Sequence, residues 1–419
     1  MTELLLAATS LDVTPPPGHR LDGYAARAGL STGAADPLRA TLIWLSTGDD
    51  PGVLWLTLDA IAVGSALSSE LATAAGAAAG IPPSHVVVSA SHTHSGPSGW
   101  TGEIHPVIPA ERERPLVDSL VGAVRSAVLE RQPVTASWHS IEVIGVGTNR
   151  HRKNGPHDNT AGVLALHGLG GSLEAVLLDF ACHPTTYGPE NLQYSADWPG
   201  AARAALAPAV VGFLQGAAGD VSPRFTRQGR GAAEVARLGG LLASRVREAL
   251  ATPGLELPQS APSIRRTTLT LPVRSVPPVD ESEKLASVVE SRVDAESRTN
   301  GAGDPSGRIS QTRLEGARGQ ALMAAADLPP ALDLPVSTVT MGDVCWINLP
   351  VELFAVHGVC LQADSTHPIT RVIGYTDGYY GYVVDPSAAE AGTYEALITF
   401  FDQPTTNTLL TETATFVNS

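Results

Sequence analysis

The stretch Val86–Pro97 reads VVVSASHTHSGP. Its apolar start, Val86-Val87-Val88, has the character of a buried strand. The run stops at a small polar cluster carrying His92 and His94, and Gly96-Pro97 then turns the chain. Open α/β sheets bind ligands outside the carboxyl ends of their strands. Two imidazoles delivered there stand where chemistry is done.

Other strands end in the same way. The apolar run Ala175–Ala181 delivers Cys182-His183-Pro184, and Val210–Leu214 runs into QGAAGDVSP with Asp220 and Ser222. The segment Val336–Leu349, including VCWINLP, is followed by Glu352. If these strands share a sheet edge, their polar ends converge. Two histidines and a glutamate are a common zinc ligand set with an open position for water. Bound zinc lowers the pKa of that water to about 7 and polarises a carbonyl. Each feature also has a plainer reading. Strand-end histidines are often hydrogen-bonded loop residues. Ser222 suits a turn or a helix N-cap, and Glu352 suits the first turn of a helix, where the macrodipole favours it. His19, His85, His105, His139, His151, His157, His167, His357 and His367 lack a comparable setting and read as structural or surface residues.

The rest of the chain predicts a mixed α/β (α+β) fold, with mixed sheets, flanking helices and the active site at strand carboxyl ends. Strands are expected at Ala7–Val13, Leu38–Ser46, Val53–Leu58, Val134–Val146, Gly162–Leu166, Ser260–Val276 and Arg371–Gly374. Helices are expected at Ser65–Ala79, Pro115–Arg131 and Ala232–Leu250, and after Glu352 through Cys360. Another helix starts at Ser195–Pro199, with Asp197 as its N-cap and Pro199 in the first turn. The segment Thr148–Thr160 reads as a polar loop. Val279–Leu328 reads as two helices around the surface loop NGAGDPSG, a helical insertion within one domain spanning residues 1–419.

With 43% apolar and 16% charged residues, the chain buries a sizeable core. A net charge of −15 argues against nucleic acid and against anionic membranes. No run approaches the length of a transmembrane helix, and the amino terminus lacks the basic region of a signal peptide. The sparse cysteines, Cys182, Cys345 and Cys360, read as buried thiols in a reducing compartment, so the protein is expected in the cytoplasm.

The segment Ala90–Gly99, ASHTHSGPSG, resembles the HTHSGP signature of the neutral/alkaline, non-lysosomal ceramidases. LDVTPPPGHRLDGY (Leu11–Tyr24) resembles that family's start, Asn149-Arg150 its NR motif, and FACHPT (Phe180–Thr185) its second histidine loop. GDVSP (Gly219–Pro223) resembles its serine loop. PVELF (Pro350–Phe354) and GYYGYVVDPSAAEAGTYEA (Gly378–Ala396) resemble its glutamate and tyrosine segments. The resemblance implies the ceramidase catalytic fold and a zinc ion held by His92, His183, Glu352 and Tyr382. It also implies that His94 lies near the reacting carbonyl, Ser222 is the nucleophile or its close partner, and Arg150 and Tyr394 bind near the scissile amide.

Elementary geometry agrees with those implied roles. On an extended strand, residues i and i+2 share a face about 6–7 Å apart. His94 is therefore expected to reach the oxyanion or the leaving amine rather than the ion held by His92. Arg150, permanently charged, suits developing negative charge. The elbow G-x-S-x-G is absent around Ser222, which argues against a metal-free serine hydrolase. Family ceramidases are longer, usually secreted or membrane-associated, and carry an immunoglobulin-like carboxyl-terminal domain; the expectation here is the zinc hydrolase domain without it. With 5% aromatic residues and no amphipathic docking helix, this sequence is a poor match to a membrane lipid. The expectation is a Zn2+-dependent amidohydrolase taking a small-molecule N-acyl substrate, without membrane insertion; a homo-oligomer is compatible with it. The alternatives are an esterase or a hydrolase of a small soluble carbohydrate or amino-acid conjugate, or a non-enzymatic ligand-binding homologue. Asp12 and Asp59 are loose candidates for a second, structural metal.

Overall fold

A computed structural model describes residues 3–102, 105–107, 111–300 and 305–419. Near-continuous apolar runs make the strands, as expected of segments buried on both faces. The larger sheet runs in the order Val210–Gln215, Leu173–Phe180, Thr160–Gly168, Gln132–Glu142, Leu5–Asp12, Arg39–Ser46, Val53–Leu58 and Val86–Ala90. The short strand Leu255–Glu256 pairs with Gln132–Glu142. Pairing is antiparallel along the middle and parallel at each end, where Val210–Gln215 joins Leu173–Phe180 and Val86–Ala90 joins Val53–Leu58. The sheet curls. Val210–Gln215 packs against Arg39–Ser46, Val53–Leu58 and Val86–Ala90 from the other end of the order.

A second sheet runs Ser263–Pro272, Ala331–Met341, Val344–Asn348 and Ile369–Ile373. The chain leaving its last strand stitches the two ends of the first sheet together. Gly374 N–H donates to Gln215 O at 2.9 Å, Ala90 N–H to Tyr375 O at 3.0 Å and Asp377 N–H to Val88 O at 2.8 Å. Beyond that seam, Glu352–Leu353 pairs in parallel with Tyr382–Val383, which sets Glu352 opposite Tyr382. Three strands with polar ends and the tyrosine segment thus meet at one place. Where the two sheets pack, the Trp346 ring lies edge-on to Trp55 at 5.9 Å and to Trp138 at 5.4 Å, all three buried.

Helices Ser65–Ala79, Arg114–Arg125, Asp197–Ala205 and Ala232–Leu250 flank the sheets. Gly239 allows Ala232–Leu250 to lie tightly on Asp197–Ala205, since a Cβ there would stand 2.6 Å from Trp198 O. Helices Val279–Asn300 and Pro305–Ala325 pair with each other, as expected, and the second packs on the helix Tyr394–Ile398. Residues 301–304 of the expected NGAGDPSG loop lie outside the described residues. Among the described residues, no helix is long and apolar enough to cross a membrane.

Several sequence expectations are corrected. The strand from Gln132 stops at Glu142, short of Val146, and the β-like stretch narrows to Ser263–Pro272. The expected loop from Thr148 holds a two-residue ladder, Thr148–Asn149 on Val221–Ser222, which positions Arg150. Asp197 is not an N-cap. It has φ 54° inside the helix start, and its carboxylate accepts the N–H groups of Trp198, Thr186 and Tyr187, tying down the loop after His183. Cys182 and Cys345 are buried, but Cys360 is exposed on a helix face.

Truncating a fully buried tryptophan costs about 3–5 kcal/mol. Trp346→Ala is expected to lose that much stability in urea unfolding; a loss under about 1 kcal/mol would contradict the packing of one sheet on the other.

Candidate metal centre

His92 takes φ 64°, a left-handed conformation that breaks the extended run after Ala90. The reversal folds His94 back beside His92, with their Nε2 atoms 3.3 Å apart. The expected extended separation of the two residues is therefore overturned. The ligand atoms of His92, His94 and His183 all lie within 4.8 Å of one another. His92 and His183 are fully buried, while His94 is partly exposed and forms the open side.

Backbone carbonyls orient all three rings. His92 Nδ1 reaches Ile61 O at 2.7 Å, His94 Nδ1 reaches Gly23 O at 2.8 Å and His183 Nδ1 reaches Ala218 O at 2.7 Å. A carbonyl only accepts, so each Nδ1 carries the proton and each Nε2 is left with its lone pair. Metal-binding histidines are held in this way. Glu352 Oε2 stands 3.3 Å from both His92 Nε2 and His183 Nε2. Lone pairs and a carboxylate oxygen at that spacing repel unless a cation joins them. Nitrogen and carboxylate donors of this kind suit zinc.

The surroundings tune these groups. Burial, then the neighbouring His92 and His183, hold His94 well below the ordinary imidazole value. Burial, the Arg150 charge and His92 push His183 down to about 4. Burial alone would raise the Glu352 carboxyl, but the histidines outweigh it and keep Glu352 well below the usual range. Tyr379 donates its hydroxyl to Glu352 Oε1, and Tyr375 donates to Oε2 at 3.3 Å. Burial and the Glu352 charge raise both phenols, so they remain donors. The Tyr375 ring also packs on His92, 4.1 Å between centroids.

Arg150 joins the cluster from the side. Its Nη1 lies 3.2 Å from His183 Nε2, and its Nη2 donates to the Tyr382 hydroxyl at 3.4 Å. Glu395 Oε1 accepts from Nε at 2.9 Å and from Nη2. Burial would raise Glu395, yet Arg150 holds it below the usual carboxylate range. Tyr382 thus meets the site through Arg150, and the Tyr394 ring lies 6.1 Å from that of Tyr382. Glu352 sits on a strand, not in a helix turn.

Ser222 follows Val221, whose carbonyl accepts the His183 N–H at 2.9 Å. Its hydroxyl accepts the Arg224 N–H at 3.3 Å, capping a short 3-10 turn. Asp220 serves as a brace, accepting from Asn149 Nδ2 at 2.5 Å and from Ala355 N–H at 2.7 Å, and burial pushes it up to about 6. Asp59 and Asp12 do not converge. Asp59 is paired with Arg203, and Asp12 accepts from Thr14.

Four residues escape the sequence reading: Gln215, Tyr375, Tyr379 and Glu395. Gln215 Nε2 donates to Ser91 O at 3.2 Å and to Cys182 O at 2.9 Å, while its Oε1 accepts the Cys182 N–H at 3.0 Å. It clamps the residue before His92 to the residue before His183. His151, expected to be structural or on the surface, lies with Nε2 3.3 Å from Glu395 Oε2.

No protein-family sequence model matches the chain, and no curated protein sequence does. Solved structures do match. Neutral ceramidase from Pseudomonas aeruginosa superposes with a TM-score of 0.77 at 17% identity, covering 99% of this chain and 74% of that one. A ceramidase complexed with C2 gives 0.76 at 15% identity, with the same coverage. This chain has the neutral ceramidase fold. The architecture expected from the HTHSGP resemblance is borne out.

Gln215→Leu keeps the volume but leaves three buried backbone groups without a partner. It is expected to cost about 3–9 kcal/mol, at about 1–3 kcal/mol per orphaned group, and to weaken the cluster's affinity for added divalent metal about tenfold or more. Unfolding and chelator-competition measurements check this; wild-type values in both would show that the clamp has no such role.

Proposed function

We propose that the chain is a zinc-dependent amidohydrolase of the neutral ceramidase superfamily, cleaving a linear N-acyl amide. Residues 1–419 would form one catalytic domain, with the helical pair within 279–328 as an insertion. The observation that carries this reading is the cluster of three imidazoles, each anchored through Nδ1 with Nε2 turned inward, beside Glu352. His92, His183 and Glu352 would hold the ion, with Tyr382 at its margin. When bound, zinc supplies a Lewis acid for the carbonyl and acidifies a water.

The protein's own groups supply the remaining functions. His94, on the open side with an available Nε2 lone pair, accepts the nucleophile's proton and returns it to the leaving amine. Its Nδ1 held against Gly23 O, with Nε2 free to accept, supports this role. Arg150, fixed by Glu395, and the Tyr382 hydroxyl face the charge that develops on the carbonyl oxygen. Tyr394 borders the same space. Water enters across the C–N bond, giving a carboxylic acid and an amine. Ser222 is the nucleophile that carries the acyl group between those halves. Its support is the resemblance of GDVSP and its place one residue from the carbonyl holding His183. The three free thiols support a reducing, cytoplasmic setting.

A panel of N-acyl lipids, small soluble amides and matched esters tests the bond that is cleaved. Ser222→Ala tests the route. Loss of at least about 1,000-fold in kcat is expected of a removed nucleophile, whereas near wild-type turnover would assign the attack to water.

A further inference from the structure

Arg27 lies in the loop between strands Leu5–Asp12 and Arg39–Ser46. That loop forms one wall of the histidine cluster, for Gly23 O is the carbonyl that orients His94. The Tyr24 ring stands 5.1 Å from the His94 ring, and the Arg27 guanidinium carbon lies 4.9 Å from the Tyr24 ring centre. One nitrogen of Arg27, Nη1, donates to Asp22 O. The other two, Nε and Nη2, are shielded from solvent and have no hydrogen-bond partner among the described residues.

Those two nitrogens are the parallel donors along one edge of a guanidinium, the fork that takes both oxygens of a carboxylate. Three arginines held more deeply in the fold fill theirs. Arg150 holds Glu395, Arg203 holds Asp59, and Arg371 holds Asp158 and Asp179. Among the described residues, no carboxylate lies within ion-pair distance of Arg27. The Asp22 side chain turns to Thr101 at 3.1 Å, and Glu190 faces Arg230 at 3.9 Å. Buried donors left without a partner are costly. A chain of net charge −15 repels anions at long range, so an anionic substrate needs a local cation such as this one.

We propose that Arg27 binds a carboxylate of the substrate, so that the enzyme acts on amides carrying a carboxylate a few bonds from the scissile carbonyl, N-acyl amino acids being the simplest. This rests on the amidohydrolase reading above. One aromatic ring separates the fork from His94, a spacing that a short acid spans while its amide carbonyl lies at the cluster. The carboxylate is a spectator, and neither bond nor proton changes there.

The test compares kcat/KM for N-octanoylglycine with that for the neutral N-octanoylethanolamine, in wild type, Arg27→Lys and Arg27→Gln. N-butylsuccinamic acid tells a carboxylate on the acyl side from one on the amine side. Metal content and melting temperature report folding. A charge-assisted pair of hydrogen bonds predicts that the acid-to-neutral ratio falls about 100-fold in Arg27→Gln, mainly through KM, and by less in Arg27→Lys. A ratio unchanged by Arg27→Gln, even with both rates lowered, overturns the proposal. If neither amide is cleaved, the amidohydrolase reading falls, and calorimetric binding of N-octanoylglycine decides the carboxylate site alone. Weakening of about 100-fold in Arg27→Gln upholds that site, and equal binding overturns it.

Discussion

One carboxamide holds the two histidine-bearing strand ends together. Gln215 uses both of its polar atoms on the backbone of Ser91 and Cys182, so His92 and His183 leave the sheet from a common brace. The brace works because the sheet curls and brings its two parallel-paired ends side by side, and because Gly374–Asp377 fills the seam between them. Remove that closure and the imidazoles belong to opposite edges of a wide sheet. The rest of the site hangs on it: Tyr375 reaches His92 and Glu352 from within the seam, and Glu352 stands in register with Tyr382 just beyond.

The charges form two buried layers. Innermost are the imidazole lone pairs and the Glu352 carboxylate, kept ionised and steered by two phenols. Around them lie Arg150 and Glu395, a cation held against the histidines by its own buried anion. Taking either partner of such a pair alone leaves an uncompensated charge. Each layer thereby fixes the geometry of the other, and the open side is left to His94 and the loop that carries Tyr24.

The strands and their polar ends were legible in the sequence because they are local. Val86–Val88 before HTH, Ala175–Ala181 before His183 and Val210–Leu214 before GDVSP all announce themselves by an apolar run meeting small residues. The backbone reversal at His92 was not, since nothing in SHTH marks a left-handed histidine; reading it as extended pushed His94 too far from its neighbour. Gln215 was hidden for a different reason. A glutamine at a strand end is ordinary until the strand returns beside two others. Glu395 stands next to the noticed Tyr394 in GTYEA, and Tyr375 and Tyr379 lie in the tyrosine-rich segment, but only the fold shows which polar group each one meets. Asp197 was read by helix-start chemistry, and the loop after His183 claimed its carboxylate instead.

The central claim is that this cluster holds a catalytic zinc. Elemental analysis of the purified protein beside His92→Ala addresses it most directly. About one zinc per chain in the wild type, lost from the variant, is the predicted result for such a site. A wild type without stoichiometric metal, or a variant that keeps it, would contradict the account.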